Sequence, residues 1–290
     1  MNWSVFLYSA LLSIPRIYSL QNLSNIRFKL AKLYRTTTAI TRAKNILPVI
    51  LLNIAGSRIT NPLVSPLQNG PVLASIAITQ SIMASSMIIN DICDLPIDRI
   101  NNPMRPLVTG DLSIFHAKCM TALFLAAAET INVLCIPPTL GWISRASSLL
   151  SVIYTPVLKR ILFVKNIARA VLVSTSMLFS GLAANPDIIV GPRAYILYIA
   201  IRTIFLGSIC SEILLDIRDR DGDHKFGVAT IPVVFGKEAA WKIANFAMLL
   251  NIWMGAFDLS TIGGNYLGMG FATTLLPLIN GLRNLRNRGI

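Results

Sequence analysis

Apolar residues in this chain come in long runs separated by short basic, polar or proline-containing segments. A helix rising about 1.5 Å per residue needs about 20 mostly apolar residues to cross a bilayer core. That ruler marks eight stretches, at residues 37–57, 71–91, 114–136, 139–158, 166–184, 193–215, 238–257 and 265–283. The strict alternation that membrane barrels need is absent. Ala74, Ala77, Ala84, Ser85 and Ser86 give the second stretch the small-residue texture of helices packed closely in lipid. The pattern predicts an all-α fold, a polytopic transmembrane helix bundle of about eight spans.

Composition agrees with this pattern. Hydrophobic residues make up 54% of the 290 and charged residues only 13%, about half the share of an average globular domain. This excludes a water-soluble enzyme and leaves no role for nucleic acid as a partner. The net charge of +13 then has a topological reading. The segments after the second, fourth and sixth stretches and the C-terminal tail, taken with the adjoining ends of the stretches, carry fifteen Lys and Arg, Lys165 and Arg169 among them, whereas the alternate loops with their flanks carry two, Arg58 and Arg193. That asymmetry follows the positive-inside rule and puts both ends and the even-numbered loops on one side.

Residues 1–36 stand apart from the transmembrane domain at 37–290. No acidic residue precedes Asp91, and Arg16, Arg27, Lys29, Lys32 and Arg35 are spread among Ser, Asn and Leu. Two readings fit equally: an organelle transit segment, which implies a mitochondrial or plastid membrane, or a basic amphipathic segment lying on the bilayer surface. Cys93, Cys119, Cys135 and Cys210 form no CxxC pair and read as free thiols, and only His116 and His224 offer imidazole. Any chemistry must therefore rest on carboxylates and cations.

Seven of the 13 acidic residues fall in two short windows: Asp91, Asp94 and Asp98 in NDICDLPID, and Asp216, Asp219, Asp221 and Asp223 in DIRDRDGD. Each window contains DxxDxxxD and follows directly on an apolar stretch, so the chain reads as two pseudo-repeated halves. At about 100° per helical residue, offsets of 3 and 7 place the three carboxylates within roughly 60° of arc. Like charges gathered at the end of a membrane helix are costly unless a cation sits among them. All-oxygen ligation favours Mg²⁺ or Ca²⁺, and Mg²⁺ is the ion that bridges a few carboxylates to substrate phosphates. The inferred ligand is a phosphate or diphosphate. Asp221 lies outside the repeated spacing and reads as a solvated loop carboxylate, Asp111 as the N-cap of the third helix, and Glu212, one turn before Asp216, as a support for the second cluster. Glu129 reads as an interhelical hydrogen-bonding group.

These motifs resemble those of the UbiA superfamily of intramembrane prenyltransferases, which carry NDxxDxxxD and DxxDxxxD after the second and sixth helices. The first continues as NDICDLPIDRINNPMRPLVTG, in which Asn102, Pro103, Arg105, Pro106 and Gly110 resemble the family's extension. The second runs DIRDRDGDHKFGVATIPVVFG. Arg42 and Asn45 look like the family's RxxN, and Tyr154 with Lys159 and Arg160 like its tyrosine-to-lysine loop, here one residue longer than the commoner YxxxK. The family norm is nine spans against the eight marked here.

The resemblance implies a polyprenyl diphosphate donor and a hydrophobic or aromatic acceptor within membrane lipid. Mg²⁺ would be held by Asp91, Asp94, Asp98, Asp216, Asp219 and Asp223, which also form the catalytic set. Asn90, Arg42, Asn45, Arg105, Tyr154, Lys159 and Arg160 would bind substrate. GDHKFG resembles the homogentisate and chlorophyll branches more than others, so the expected pathway is that of quinones or related prenyl lipids; a glycerol phosphate lipid is also compatible. Two rivals remain: a membrane terpene cyclase, which releases diphosphate without an acceptor, and a cation-coupled transporter, whose sites belong near the bilayer midplane.

Overall fold

The computed structural model of the chain describes residues 20–188 and 190–287, and it is helical without strands among them. Helix α1, Leu20–Ile40, runs through the boundary at residue 36. Residues 1–19 of the basic N-terminal segment lie outside the described residues. The expected first span at 37–57 is not continuous. Its first residues end α1, the chain turns at Arg42 with φ 50 and ψ 57, and after one tight turn at Ala43–Asn45 helix α2 begins, Ile46–Thr60. Left-handed backbone at an arginine is uncommon; here it terminates one helix before the polar Arg42–Asn45 segment reaches lipid.

Helix α3, Gly70–Cys93, starts with Pro71 in its first turn and Asn69 as cap, whose side chain accepts from the Val72 N–H at 3.1 Å. Two short helices follow, α4 at Leu95–Asn101 and α5 at Pro106–Thr109. Helix α6, Ile114–Cys135, is capped by Ser113, which accepts from the His116 N–H at 3.2 Å. The expectation that Asp111 caps this helix is thus corrected. Asp111 lies two residues too early, pairs with Lys32 at 2.7 Å and accepts from the Thr109 hydroxyl at 2.9 Å, contacts that hold its carboxyl below the usual range.

The remaining helices are α7 (Pro138–Tyr154), α8 (Val164–Ala184), α9 (Pro192–Lys225), the short α10 (Ile231–Val234), α11 (Lys237–Gly263) and α12 (Asn265–Asn287). Among the described residues five helices, α3, α6, α8, α9 and α11, are long and apolar enough by themselves to cross a membrane. Helices α2 and α7, with 15 and 17 residues, are shorter but occupy expected stretches. The 34 residues of α9 make a rod about 51 Å long at 1.5 Å per residue. It therefore outruns the predicted stretch and carries the second aspartate motif inside the helix, not on a loop after it.

Small residues set the closest approaches. A Cβ on Gly56 of α2 would stand 2.2 Å from the Met177 carbonyl oxygen of α8, and Thr60 Oγ1 donates to the Gly181 carbonyl at 2.8 Å. Polar links of this kind substitute for a hydrophobic driving force in lipid. Ile78, Leu140 and Phe179 form one buried cluster, and Ile213, Ile217, Trp241 and Ala244 another between α9 and α11. Leu123, Trp142, Phe246 and Trp253 are exposed on the outer face, apolar area that belongs against lipid.

Candidate functional site

Helix α3 delivers Asn90 and Asp91 in its last turn, Asp94 is the joint between α3 and α4, and Asp98 lies within α4. All three aspartates are buried, and each is held by a basic side chain. Asp91 Oδ1 accepts from Arg42 Nη2 at 3.1 Å and Arg105 Nη1 at 2.6 Å. Arg105 also donates to Asp98, which accepts from Asn102 Nδ2 at 3.0 Å, and Lys159 donates to Asp94. Burial pushes the Asp98 carboxyl up while the Arg105 charge opposes it. Arg42 is pulled below its ordinary value by burial, then by its neighbour Arg105.

The second cluster is a ladder across α8 and α9. Lys165 Nζ donates to Asp216 Oδ1 at 2.5 Å, and Asn166 Nδ2 to Oδ2 at 3.1 Å. One turn deeper on both helices, Arg169 Nε donates to Glu212 Oε1 at 3.2 Å. The Arg169 guanidinium carbon lies 5.8 Å from the ring centre of the buried Tyr154. Asp223 is buried too, whereas Asp219 is partly exposed and pairs with its neighbour Arg218 at 2.8 Å. Asp221 is 89% exposed, as its position outside the repeat implies. Glu129, read as an interhelical hydrogen-bonding group, takes two bonds from Arg145 of α7, at 2.9 and 2.7 Å.

The two motifs meet where α9 crosses α4. A Cβ at Gly222 would stand 2.2 Å from Asn101 Nδ2, so a glycine between Asp221 and Asp223 lets the end of one motif close on the end of the other. Arg42, Arg105, Tyr154 and Lys159 all take part in these contacts. Asn90 and Asn45 are half-buried, Asn45 on a cavity wall, and Arg160 is exposed. Lys165 and Arg169, which contribute to the charge asymmetry as flanking cations, both lie inside α8 and face the second carboxylate cluster. Their i, i+4 spacing on one helix face, matching Glu212 and Asp216, was the signal in the sequence.

Two cavities adjoin the carboxylates. One of about 260 Å³ lies among α2, α3, α7 and α8, walled by side chains such as Leu52, Met87, Ser151, Arg169 and Phe179. Its serine and threonine hydroxyls largely bond back to their own helices, as Ser147 does to the Ile143 carbonyl at 2.8 Å, so the wall is small and effectively apolar. The other, of about 380 Å³, is bounded by Ala39, Arg42, Asp91, Asn102, Met104 and Arg105. Among the described residues no three carboxylates, imidazoles or thiols converge as a ready metal cage. The donor set is nonetheless wholly carboxylate oxygen, which suits Mg²⁺, and the carboxylates are at present matched by cations of the site. The four cysteines are free thiols.

Comparison with known proteins agrees with this geometry. The sequence profile of the UbiA prenyltransferase family matches residues 46–289. The digeranylgeranylglyceryl phosphate synthase of Methanoculleus marisnigri is 31% identical over 77% of this chain and 80% of its own length. That of Ignicoccus hospitalis is 26% identical over 87% and 79%. A solved structure described as giving insight into digeranylgeranylglyceryl phosphate synthase in membranes superposes with TM-score 0.64 at 26% identity, over 86% of this chain and 88% of that one. A UbiA homologue from Archaeoglobus fulgidus bound to GPP and Mg²⁺ gives TM-score 0.69 at 20% identity, over 84% and 85%.

Proposed function

The chain belongs to the UbiA prenyltransferase family, and from that premise we propose that this intramembrane prenyltransferase transfers a polyprenyl group from an allylic diphosphate to the hydroxyl of a glycerol phosphate lipid. The observation that carries this reading is an apolar cavity whose wall reaches Met87, one turn before Asp91, and Arg169, one turn after Lys165, and so runs up to two carboxylate clusters paired with Arg42, Arg105, Lys159 and Lys165. An amphiphile with a diphosphate head and an isoprenoid tail fits both compartments at once. The glycerol phosphate acceptor is supported by the relatives, which are named for forming digeranylgeranylglyceryl phosphate. The expected aromatic acceptor and quinone pathway find no support among them. Nor does a mitochondrial or plastid membrane, since these relatives are archaeal. GDHKFG, whose likeness to the homogentisate branch carried that expectation, forms the last residues of α9 and the two that follow it.

Asp91, Asp94 and Asp98 on one side and Asp216, Asp219 and Asp223 on the other would hold Mg²⁺, with Asn90 as a neutral oxygen donor. Bound there, Mg²⁺ supplies charge neutralisation for the diphosphate oxygens. The carboxylates would then exchange their present ion pairs with Arg42, Arg105, Lys159 and Lys165 for the ion, which would leave these cations to neutralise the diphosphate. Arg160, exposed on the same turn as Lys159, adds attraction at the mouth. In the reaction the bond between the allylic carbon and the diphosphate oxygen breaks and its electron pair leaves with the diphosphate. The acceptor hydroxyl oxygen bonds to that carbon and gives its proton to a carboxylate of the site or to a water held by one. Asn45 and the apolar wall of α2, α3, α7 and α8 orient the chain and keep out water that would otherwise capture the carbocation.

The test uses the purified chain in nanodiscs with radiolabelled geranylgeranyl diphosphate, Mg²⁺, and either a prenylglyceryl phosphate or homogentisate as acceptor. Label is expected in an ether product of the glycerol phosphate lipid. Transfer to homogentisate alone would overturn the acceptor; diphosphate release with no acceptor would make the chain a cyclase.

A further inference from the structure

This inference rests on the donor reading above and concerns a residue outside both repeated motifs. An allylic diphosphate has one defined junction, the bond between its first carbon and the diphosphate oxygen, and that bond must lie where the charged compartment meets the apolar one. On α8 the border falls between Lys165, which holds Asp216, and Arg169 one turn deeper; on α9 it falls between Asp216 and Glu212. Among the described residues Arg169 is the single charged side chain on the wall of the apolar cavity. From Arg169 the wall follows α8 to Phe179, about 15 Å at 1.5 Å per residue. A guanidinium therefore stands at the head of a lipid-like slot.

Its hydrogen bonding leaves it available. Among the described residues only Nε is engaged, by Glu212, and the Tyr154 ring lies against the guanidinium. Glu212 anchors the arginine and balances its charge when no donor is bound, while the terminal N–H groups remain for an incoming oxygen. We propose that Arg169 is a catalytic cation for donor ionisation, giving its terminal N–H groups to the oxygen that leaves the allylic carbon, with Glu212 as its positioning residue. As the carbon–oxygen bond breaks, its electron pair goes to that oxygen, and a fixed double donor favours the charged state over the intact ester. The planar fork makes arginine the fitting residue; lysine would keep the charge but lose the paired donors.

The experiment compares wild type, Arg169→Met, Arg169→Lys and Glu212→Gln in nanodiscs, measuring kcat and KM for Mg²⁺-dependent diphosphate release, thermal midpoint, and affinity for an unreactive thiolodiphosphate analogue of the donor. In Arg169→Met, kcat is expected to fall on the order of 100-fold or more, with analogue affinity held within about threefold. Arg169→Lys is expected to recover part of the rate, and Glu212→Gln to lose less than Arg169→Met. A wild-type kcat in Arg169→Met overturns the proposal. So does a rate loss matched by lost analogue binding and a lowered thermal midpoint, because Arg169 would then only pin α8 to α9. A wild-type protein that releases diphosphate from no allylic donor overturns the donor reading itself, which separates the two failures.

Discussion

Lys165 and Asp216 face one another across α8 and α9 at 2.5 Å, with side chains only 6% and 5% exposed. Removing one partner of such a pair leaves an uncompensated buried charge, which costs about 3–5 kcal/mol. Lys165→Met is therefore expected to lower the stability of the α8–α9 contact by that order. The double replacement Lys165→Met, Asp216→Leu should recover most of the loss, as read by thermal unfolding in detergent. Activity is not expected to return in the double variant, because the carboxylate proposed to hold Mg²⁺ is then missing. Recovery of both would show that the pair is only a staple.

Asp219 has the same place in its motif as Asp94 but a different environment. It is 44% exposed and its cation, Arg218, is the adjacent residue, and an exposed pair of this kind is worth about 0–1 kcal/mol. Asp219→Asn is expected to leave the thermal midpoint almost unchanged while reducing Mg²⁺-dependent turnover by about 100-fold or more, the loss typical of removing one electrostatic contact to the reacting group. Asp94→Asn should lower turnover to the same degree and also disturb the contact with Lys159. A fully active Asp219→Asn would remove that residue from the metal set and leave the second cluster to Asp216 and Asp223.

Gly222 gives a steric test of whether the two motifs must touch. Its missing Cβ leaves room for Asn101, whose Nδ2 would otherwise be 2.2 Å away. Gly222→Val is expected to hold α9 away from α4 and cut turnover sharply while far-ultraviolet circular dichroism keeps its helical signal. Adding Asn101→Ala should restore part of the rate by vacating the same space. No rescue by the second change would mean that the contact serves only backbone flexibility.

The helices and the aspartates of the two motifs were legible in the sequence because lipid demands long apolar runs and because carboxylates in such a chain are rare. What periodicity could not give was where helices end against polar residues. Arg42 breaks the first stretch, since a single left-handed residue leaves no trace in hydropathy. Lys165 and Arg169 sit at the border of a span and read as loop cations until Asp216 and Glu212 are seen opposite them. Arg202 and Asp258 are separated by 56 positions, so only the packing of α9 on α11 makes them a pair. The acceptor is hidden for a different reason: the vestibule beside Arg42 and Arg105 presents two guanidiniums, which attract any anionic head alike.

The Arg202–Asp258 pair supplies a control for every effect at the aspartate motifs. It lies 14 positions before Asp216 on α9, about 21 Å along the helix at 1.5 Å per residue, and thus toward the opposite end of the bundle. Asp258 Oδ1 accepts from Tyr195 Oη at 3.1 Å, and the Arg202 guanidinium carbon is 5.7 Å from the ring centre of Tyr198. Side-chain exposures are 13% and 12%, so an unpaired charge left here is costly in the same way as at Lys165. Asp258→Asn is expected to destabilise the protein by about 3–5 kcal/mol with KM for the donor unchanged in the fraction that remains folded. Thermal unfolding and donor titration on the same preparation check both halves. A raised KM without a loss of stability would place this pair in contact with substrate, against the observation that neither Arg202 nor Asp258 stands on the wall of the apolar cavity.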